Sequence, residues 1–589
     1  MYKVRRTLSS VSDPVGNPGP YNPGMAPAGI LAAALLAAPP PQDRSPDRDL
    51  EGPAARCGSE IPWAPSLEEA QRRSRQTGRP IAWWIPTLEG SPMDRKKVVE
   101  KYLLAGPLMM PDVVERMSRD FIPLRMAGDR SHRRPFGLEP LEFIEPGILF
   151  LTADLEVLHR VDRISTFSEE WFRHLLDGVL RKAGRPPPEG RDRSEGPRRL
   201  LALPRPDPAL FESLEGPEAR YCQGVALHLA GRDDEGRTVW RAIPEGRWAW
   251  KAAAELSRDG PFVRGFEIYE ALPPGAPEGL PSSTTRPQKD ADPERALRFL
   301  LGMQRHHGGW DDCNYNFGGD DSLPNVYMAV TALAALALRE WGEPARVGKA
   351  LERAEAYLRD ESRIAEEDSD EIVWAHAYRL LYFARAGDRP SAARMVRALA
   401  VRQDRRGAWG HEYPNPFVTA TVLLALDEAR RAGVEVPEAL LRRGGEALAS
   451  ARDRRGVFSY GFPGRGGDVR GAAGRMPLCE LALLRCGRST TEDVAAAVEE
   501  SFRHHALLER VRKYDDHADA WRNGGFFFWY DQWGRAMAAA AAGAEEARRR
   551  QRRIVLETSE IDGCWVDSHE LGRVYGTAVA LLTLKACGP

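Results

Sequence analysis

From about residue 293 onward, apolar and polar positions alternate in a long repeating rhythm. A mixed helix runs into a glycine and an aromatic residue, and a helix apolar almost all round follows. The second kind reads NVYMAVTALAALAL (325–338), NPFVTATVLLAL (415–426), GRMPLCELALL (474–484), GRAMAAAAAG (534–543) and GRVYGTAVALLTL (572–584). A helix apolar on every face has to be buried on every face. The junctions align with one another. Gln304-x-x-x-Gly308-Gly309-Trp310 returns as Gln403-x-x-x-Gly407-Ala408-Trp409. Looser copies are Arg452-x-x-x-Gly456-Val457-Phe458, Gly524-Gly525-Phe526 and Ser559-x-x-x-Gly563-Cys564-Trp565. A further unit over 350–385 keeps the two-helix rhythm without the glycine–aromatic step. That makes six helical pairs at periods of about 40 to 65 residues. The glycine supplies a turn with φ > 0. The aromatic plugs the gap between neighbouring hairpins, and truncating it to alanine costs about 3–5 kcal/mol. Six inner helices ringed by six outer ones give an α/α toroid over 293–589.

The N-terminal half has shorter periods. SLEEAQRRSRQTG (66–78) reads as a helix with Ser66 as N-cap, Glu69 completing a capping box and Gly78 ending it. RPIAWWIP reads as a buried strand, PDVVERMSRD (111–120) as a helix and FIPLRM as a strand. GILFLTADLEVLHRV follows as a hairpin turning at Ala153-Asp154, and FSEEWFRHLLDGVLRKAG as an amphipathic helix. An α/β unit over 59–184 follows. Segment 218–243 reads as one helical hairpin turning at Gly231, within a spacer over 205–270. A single hairpin cannot bury its apolar face alone, so it packs on a neighbour. Proline- and charge-rich stretches at 185–204 and 271–292 are linkers.

Composition adds exclusions. Of 589 residues, 83 are basic and 85 acidic, a formal charge of −2. No nucleic-acid footprint follows from that balance. The seven cysteines are scattered without a CxxC pair, which speaks against a disulfide framework and a zinc ribbon. Residues 1–58 form a signal-like or disordered segment. Its apolar run, Ala28 to Ala38, is too short for a membrane helix and fits a signal-peptide core with Arg5-Arg6 upstream. The expectation is a secreted or periplasmic protein, with a cytoplasmic one as the alternative.

Three resemblances follow from particular residues. The β-α-β-α-β-β-α order with Trp63, Ser66 and Ala70, and Glu145-Pro146-Gly147 at the expected cis-proline, resembles the thioredoxin fold. Thiol–disulfide exchange needs a nucleophilic and a resolving thiol, yet IPTLEGSPMDRK after the Trp83-Trp84 strand holds none. The unit is therefore expected to bind or scaffold. Tyr221, Gly224, Ala226, Leu227, Gly231 and Trp240 resemble one tetratricopeptide-like hairpin. The Gln-x-x-x-Gly-x-Trp repeats, with Tyr575-Gly-Thr-Ala, resemble terpenoid cyclases and protein prenyltransferase β-subunits. That toroid hosts cyclases, zinc-dependent transferases and non-catalytic proteins.

The cyclase resemblance implies a proton donor in Asp368-Ser369-Asp370-Glu371, at the start of an inner helix. Asp370 would donate, with Asp368 and Glu371 tuning it; clustered acids suit such a task. The bland reading is a helix cap. Trp374, Phe528, Trp529, Asp531 and Tyr575, with Asp320 and Asp321 at the rim, would line a cavity for an apolar substrate. The transferase resemblance looks to Asp562-Gly563-Cys564 with His569, or to Asp311 and Cys313 with His306 or His307. Spacing alone does not certify zinc, and neither a metal nor a cofactor is assigned. The leading expectation is a multidomain protein whose toroid binds an apolar small molecule or a protein partner. The enzyme alternatives are an acid-catalysed cyclase and a zinc-dependent transferase.

Overall fold

The computed structural model describes residues 50–91, 96–140, 143, 145–161, 169–187, 196–201, 206–230, 232–257, 293–313, 323–368, 370–464, 466–510, 512, 527–559, 564–568 and 571–588. Residues 1–49 of the signal-like segment, Gly231, Asp320, Asp321, Gly524–Phe526, Asp562, Gly563 and His569 lie outside the described residues, as does the 271–292 linker. The last part of that segment is ordered, contrary to the expectation for 1–58: Gly52–Arg56 forms a 3-10 turn, and Ala54 and Cys57 are buried against Met109 and Trp250. Pro46–Pro589 forms one compact unit.

Four strands make the α/β sheet: β1 (Ile81–Ile85), β2 (Ile122–Arg125), β3 (Gly147–Leu151) and β4 (Val157–Val161), in the order β2-β1-β3-β4. β1 runs parallel to β2 and antiparallel to β3, and β3 antiparallel to β4. Every residue of β1 and β3 is buried, so the sheet is covered on both faces. The helices are α1 (Leu67–Thr77), α2 (Lys96–Ala105), α3 (Pro111–Asp120), α4 (Arg130–Phe136) and α5 (Glu169–Lys182). Ser66 caps α1 by accepting from the Glu69 N–H, and Gly78 closes it in the left-handed conformation. The Glu69 carboxylate turns away to Arg72 and Arg73, leaving half of the expected capping box. The Glu145–Pro146 bond is cis. Two helices are additional to the sequence reading. α4, with five polar residues in RSHRRPF and a proline inside it, has no apolar period to detect.

The spacer holds three helices rather than two: α6 (Pro217–Leu229), α7 (Asp233–Arg241) and α8 (Arg247–Leu256). Trp240 stacks on Tyr221 and donates its indole N–H to the Tyr221 carbonyl. A Cβ on Gly224 would lie 2.1 Å from that indole, so only glycine admits the approach. Tyr221, Trp240 and Trp248 share one core with Met117 of α3 and with Trp171 and Phe172 of α5. The spacer thus buries its apolar face against the α/β unit.

The toroid pairs outer with inner helices. They are α9 (Pro293–Met303), α10 (Leu323–Trp341), α11 (Pro344–Arg359), α12 (Ile372–Ala386), α13 (Arg389–Val401), α14 (Pro416–Arg431), α15 (Glu438–Ser450), α16 (Met476–Arg485), α17 (Thr491–Arg503), α18 (Phe528–Ala541), α19 (Glu545–Glu557) and α20 (Gly572–Cys587). The even-numbered helices touch in sequence, and α20 returns to α10, so the inner ring closes. The junction repeat has a matching bonding pattern. The indole N–H of Trp310, Trp409 and Trp565 donates to a carbonyl ten residues back: Leu300 (2.8 Å), Leu399 (2.7 Å) and Val555 (2.9 Å). The backbone N–H of each donates to a threonine of the next inner helix, Thr331, Thr419 or Thr577. Gln304 spans its own turn at the Gly308 carbonyl and the next outer helix at the Ala350 carbonyl. Gln403 repeats this with Gly407 and Leu440. Gly308 has φ +96°, and a Cβ there would lie 2.2 Å from the Arg353 carbonyl oxygen. Strain and contact together hold that position to glycine.

One helix starts earlier than its apolar pattern suggests. α18 begins at Phe528 rather than near Gly534, so the aromatic run is its first turns. Its alanine-rich end is not buried on every side either: Met537 and Ala541 are half-buried and Ala540 is exposed. That end borders open space.

Candidate functional site at the two ends of the toroid axis

The inner helices all start at one end of the ring. There the residue two past each plug reaches the head of the preceding inner helix. Asp312 follows Trp310 and accepts from the Arg573 (3.1 Å) and Val574 (3.0 Å) N–H groups at the head of α20. Asp567 follows Trp565 and accepts from the Trp529 N–H (2.8 Å) at the head of α18. Carboxylates suit these positive helix ends. His411 follows Trp409 and departs from the pattern. It lies beside the head of α12, its Nδ1 3.5 Å from Glu371 Oε1.

The acids at α12 separate by role. Asp368 is buried; its Oδ1 accepts from the Asp370 (3.0 Å) and Glu371 (3.3 Å) N–H groups, and its Oδ2 from Asn325 Nδ2 (2.7 Å). It is a helix cap tied to α10. Asp370 is half-buried on the turn and absent from the described lining of the axial cavity. Glu371 does line it, is 4% exposed, and has its carboxyl pushed up by burial. Of the three acids, the one facing the axis is the one that sequence reasoning gave a supporting part.

That cavity holds about 50 Å³ between Val326, Val330, Glu371, Trp374, Tyr378, Phe527, Tyr530 and Tyr575, among others. Trp374 stacks on Tyr378 with ring centres 5.9 Å apart and meets Tyr530 edge-on at 5.7 Å. Of the aromatic and acidic residues expected to line a cavity, Trp374 and Tyr575 are in this lining. Phe528, Trp529 and Asp531 are not. Phe528 packs beside His505 and under Arg512. Trp529 donates its indole N–H to the Val566 carbonyl. Asp531 lies against Gly474, where a Cβ would sit 2.3 Å from its carboxylate. The cause is the early start of α18, whose axial face carries Tyr530, Trp533, Gly534, Met537 and Ala541 at helical spacing. Asp320 and Asp321 lie outside the described residues.

The opposite end differs. About 330 Å³ opens between the C-terminal halves of α12, α14, α16 and α18, with Ala586 of α20. Its walls are Ala377, Tyr378, Leu381, Leu424, Ala425, Leu478, Leu481, Tyr530, Trp533, Met537, Ala540 and Ala541. Its rim holds Arg385, Asp427, Glu428, Arg431 and Arg485. These charges neutralise one another: Arg385 pairs with Glu340 and Glu428, Arg431 with Asp427, and Arg485 reaches Asp427 at 4.0 Å. The arginines also sit at helix C-termini, where cations are favoured. Tyr378 and Tyr530 line both cavities and form the partition between them. Sequence reasoning missed Tyr378 and Tyr530. The spacing of Tyr378 four residues after Trp374 was the available signal for the first.

Among the described residues no three His, Cys, Asp or Glu side chains converge to hold a metal ion. Cys313 is fully buried, with its thiol pushed up by desolvation. His306 is exposed, whereas His307 stacks on Tyr357 and accepts from the Gly309 N–H. On the α/β unit, a cleft of about 560 Å³ lies past the end of β1, lined by Cys57, Trp63, Pro86, Thr87, Glu100 and Arg125 among others. The Cys57 thiol donates to the Trp250 carbonyl, and none of the seven cysteines is in a disulfide.

No family model and no curated protein matches the chain. Among solved structures it is similar to a substituted type II terpene cyclase MstE from Scytonema in complex with geranylgeranyl dihydroxybenzoate. Identity is 16%, over 50% of this chain and 96% of that one, at a TM-score of 0.33. Apo MstE gives 18% identity over 46% and 79%, at 0.30. A D-mannose isomerase gives 12% over 50% and 95%, at 0.34. At these scores the likeness carries no argument.

Proposed function

We propose that this is a binding protein whose toroid takes a small, largely apolar ligand in the axial cavity at the C-terminal ends of its inner helices. The supporting observation is the cavity of about 330 Å³ with apolar walls and a self-neutralised charged rim. That volume lies in the range of small-molecule sites. At ~30 Å³ per water-sized group it admits on the order of ten heavy atoms. The α/β unit is read as a thioredoxin-like module without redox chemistry, and the α6–α8 segment as its tetratricopeptide-like spacer, in an exported chain. Calorimetric titration of the full chain with butylbenzene tests the toroid reading. Binding is expected in the wild type and is abolished by Ala541→Phe, which fills the opening from a half-buried position. Binding that survives Ala541→Phe would place the ligand elsewhere.

A second reading is acid catalysis on an isoprenoid-like alkene, with Glu371 rather than Asp370 as donor. It is favoured by the Glu371 carboxyl, buried beside His411 and facing aromatic rings. A space of about 50 Å³ does not admit a long isoprenoid, so this reading also requires the aromatic end to open. Its test is turnover of geranylgeraniol that Glu371→Gln abolishes and Asp370→Asn leaves intact. No turnover by the wild type would dismiss it.

A further inference from the structure

The binding reading leaves the ligand's chemistry open, and the partition between the two cavities narrows it. Tyr530 is satisfied: its hydroxyl donates to the Phe417 carbonyl (3.0 Å) and lies 2.8 Å from Thr421 Oγ1. Tyr378 is not. Its side chain is 6% exposed and lines both cavities, and its hydroxyl bonds to none of the described residues. Tyr575, also 6% exposed, lines the smaller cavity with its hydroxyl in the same condition. A tyrosine hydroxyl on a cavity wall that no protein group satisfies can bond a polar atom of whatever occupies the cavity. Two such hydroxyls on α12 and α20, facing space that protein atoms do not fill, mark where an outside polar group belongs.

The charge of that group follows from its surroundings. Neither the partition nor the smaller cavity carries a Lys or Arg among its described lining residues. An anion there would be buried without a counter-charge, which costs far more than two phenol hydrogen bonds return. A cation would face a single carboxyl, Glu371, whose burial disfavours the ionised form that such a pairing needs. The rim arginines and acids are paired with each other, so no charged head is called for at the opening either. Phenol hydroxyls can donate to a carbonyl or hydroxyl oxygen without any such cost.

Resting on the binding reading above, we infer that the axial ligand is a neutral ketone or alcohol of on the order of ten heavy atoms. Its oxygen is held by the Tyr378 hydroxyl, within reach of the space that Tyr575 faces, and its apolar body lies among Leu381, Leu481, Trp533 and Met537. The oxygen enters first, and the hydrocarbon fills the wider cavity toward the rim.

The experiment is calorimetric titration of the full chain with 2-decanone, decanoate, decylammonium and butylbenzene, in wild type and Tyr378→Phe. Thermal melts verify that both proteins are folded. The ketone is expected to bind more tightly than decanoate and decylammonium. Tyr378→Phe is expected to weaken ketone binding relative to butylbenzene binding roughly two- to tenfold, the worth of one neutral hydrogen bond. If no probe binds, the binding reading itself fails. If probes bind but Tyr378→Phe leaves the ketone unaffected, or a charged probe binds best, the head-group assignment is overturned while the cavity reading stands. Butylbenzene and ketone binding equally, with Tyr378→Phe neutral, would mean that the hydroxyls hold only water.

Discussion

The two ends of the toroid are made from the same six helices and solve opposite problems. At the N-terminal end, positive helix ends are met by carboxylates: Asp312 and Asp567 reach α20 and α18 from neighbouring junctions, and Asp368 caps α12 from the turn before it. Aromatic rings close the axis to about 50 Å³. At the C-terminal end, arginines meet the negative helix ends and small side chains leave about 330 Å³ open. The first end is nearly closed and the second is open. A likeness between folds would direct attention to the acids, while the physical distinction directs it to the alanines.

The largest expected effect lies in the machinery both ends share. Trp409 is 1% exposed and bonded at its indole and backbone nitrogens. Trp409→Ala should cost about 3–5 kcal/mol in denaturant unfolding, since neighbouring hairpins do not collapse onto the void. A loss under about 1 kcal/mol would mean that the plug is not what joins them.

Between the ends, on α12, lies His376, buried with both ring nitrogens lacking a hydrogen-bond partner. Desolvation, aided by Arg379 and Arg402, pushes its pKa from 6.5 down to about 3. The unfolded chain therefore takes up the proton first. The contribution of neutral His376 is complete above 6.5 and is lost as pH falls toward 3, at up to about 1.4 kcal/mol per pH unit. His376→Leu should flatten the acid limb of the stability profile between those values. An unchanged limb would show that the buried imidazole is not neutral.

Smaller effects separate the two ends. Asp312→Ala should cost about 1–2 kcal/mol by uncapping α20, without altering ligand affinity at the far opening. A change in affinity as large as the change in stability would show that the ends are coupled. Glu371, its carboxyl pushed up by burial, holds its proton longer when folded than when unfolded. Its contribution is present below 4.5 and is lost as pH rises through the raised folded value. Melting Glu371→Gln beside wild type across pH 4 to 8 should show the variant's advantage growing with pH. A constant difference would place that carboxyl in water.

How much of this the chain displays in advance depends on whether a feature is carried by residues or by space. The plugs were legible because a buried indole, its glycine turn and its glutamine bridge each demand one residue type, and they recur. The closed ring followed from helices too apolar to face water. β1 and β3 were legible from their continuous apolar runs, and β4 from its place in a hairpin after β3. α2, α4 and α8 were not, since charges or a proline blur their periods. Within the site, Trp374 and Tyr575 were legible as aromatics on inner helices. Phe528, Trp529 and Asp531 were misplaced because helix phase depends on the first residue of α18, which the glycine–aromatic run conceals. The larger cavity left no mark of its own. Alanines such as Ala377, Ala425 and Ala541 fill a core equally well or fail to fill one, and only the assembled ring decides.

The central claim is that the toroid's working end is the open, alanine-lined one. Its most direct test is anomalous diffraction from crystals of the full chain grown with a terminally brominated 2-decanone. The account predicts one bromine peak toward the rim between Leu481 and Met537, with the ketone oxygen's density reaching Tyr378. A bromine peak beside Glu371 and Trp374, or none within the ring, would contradict it.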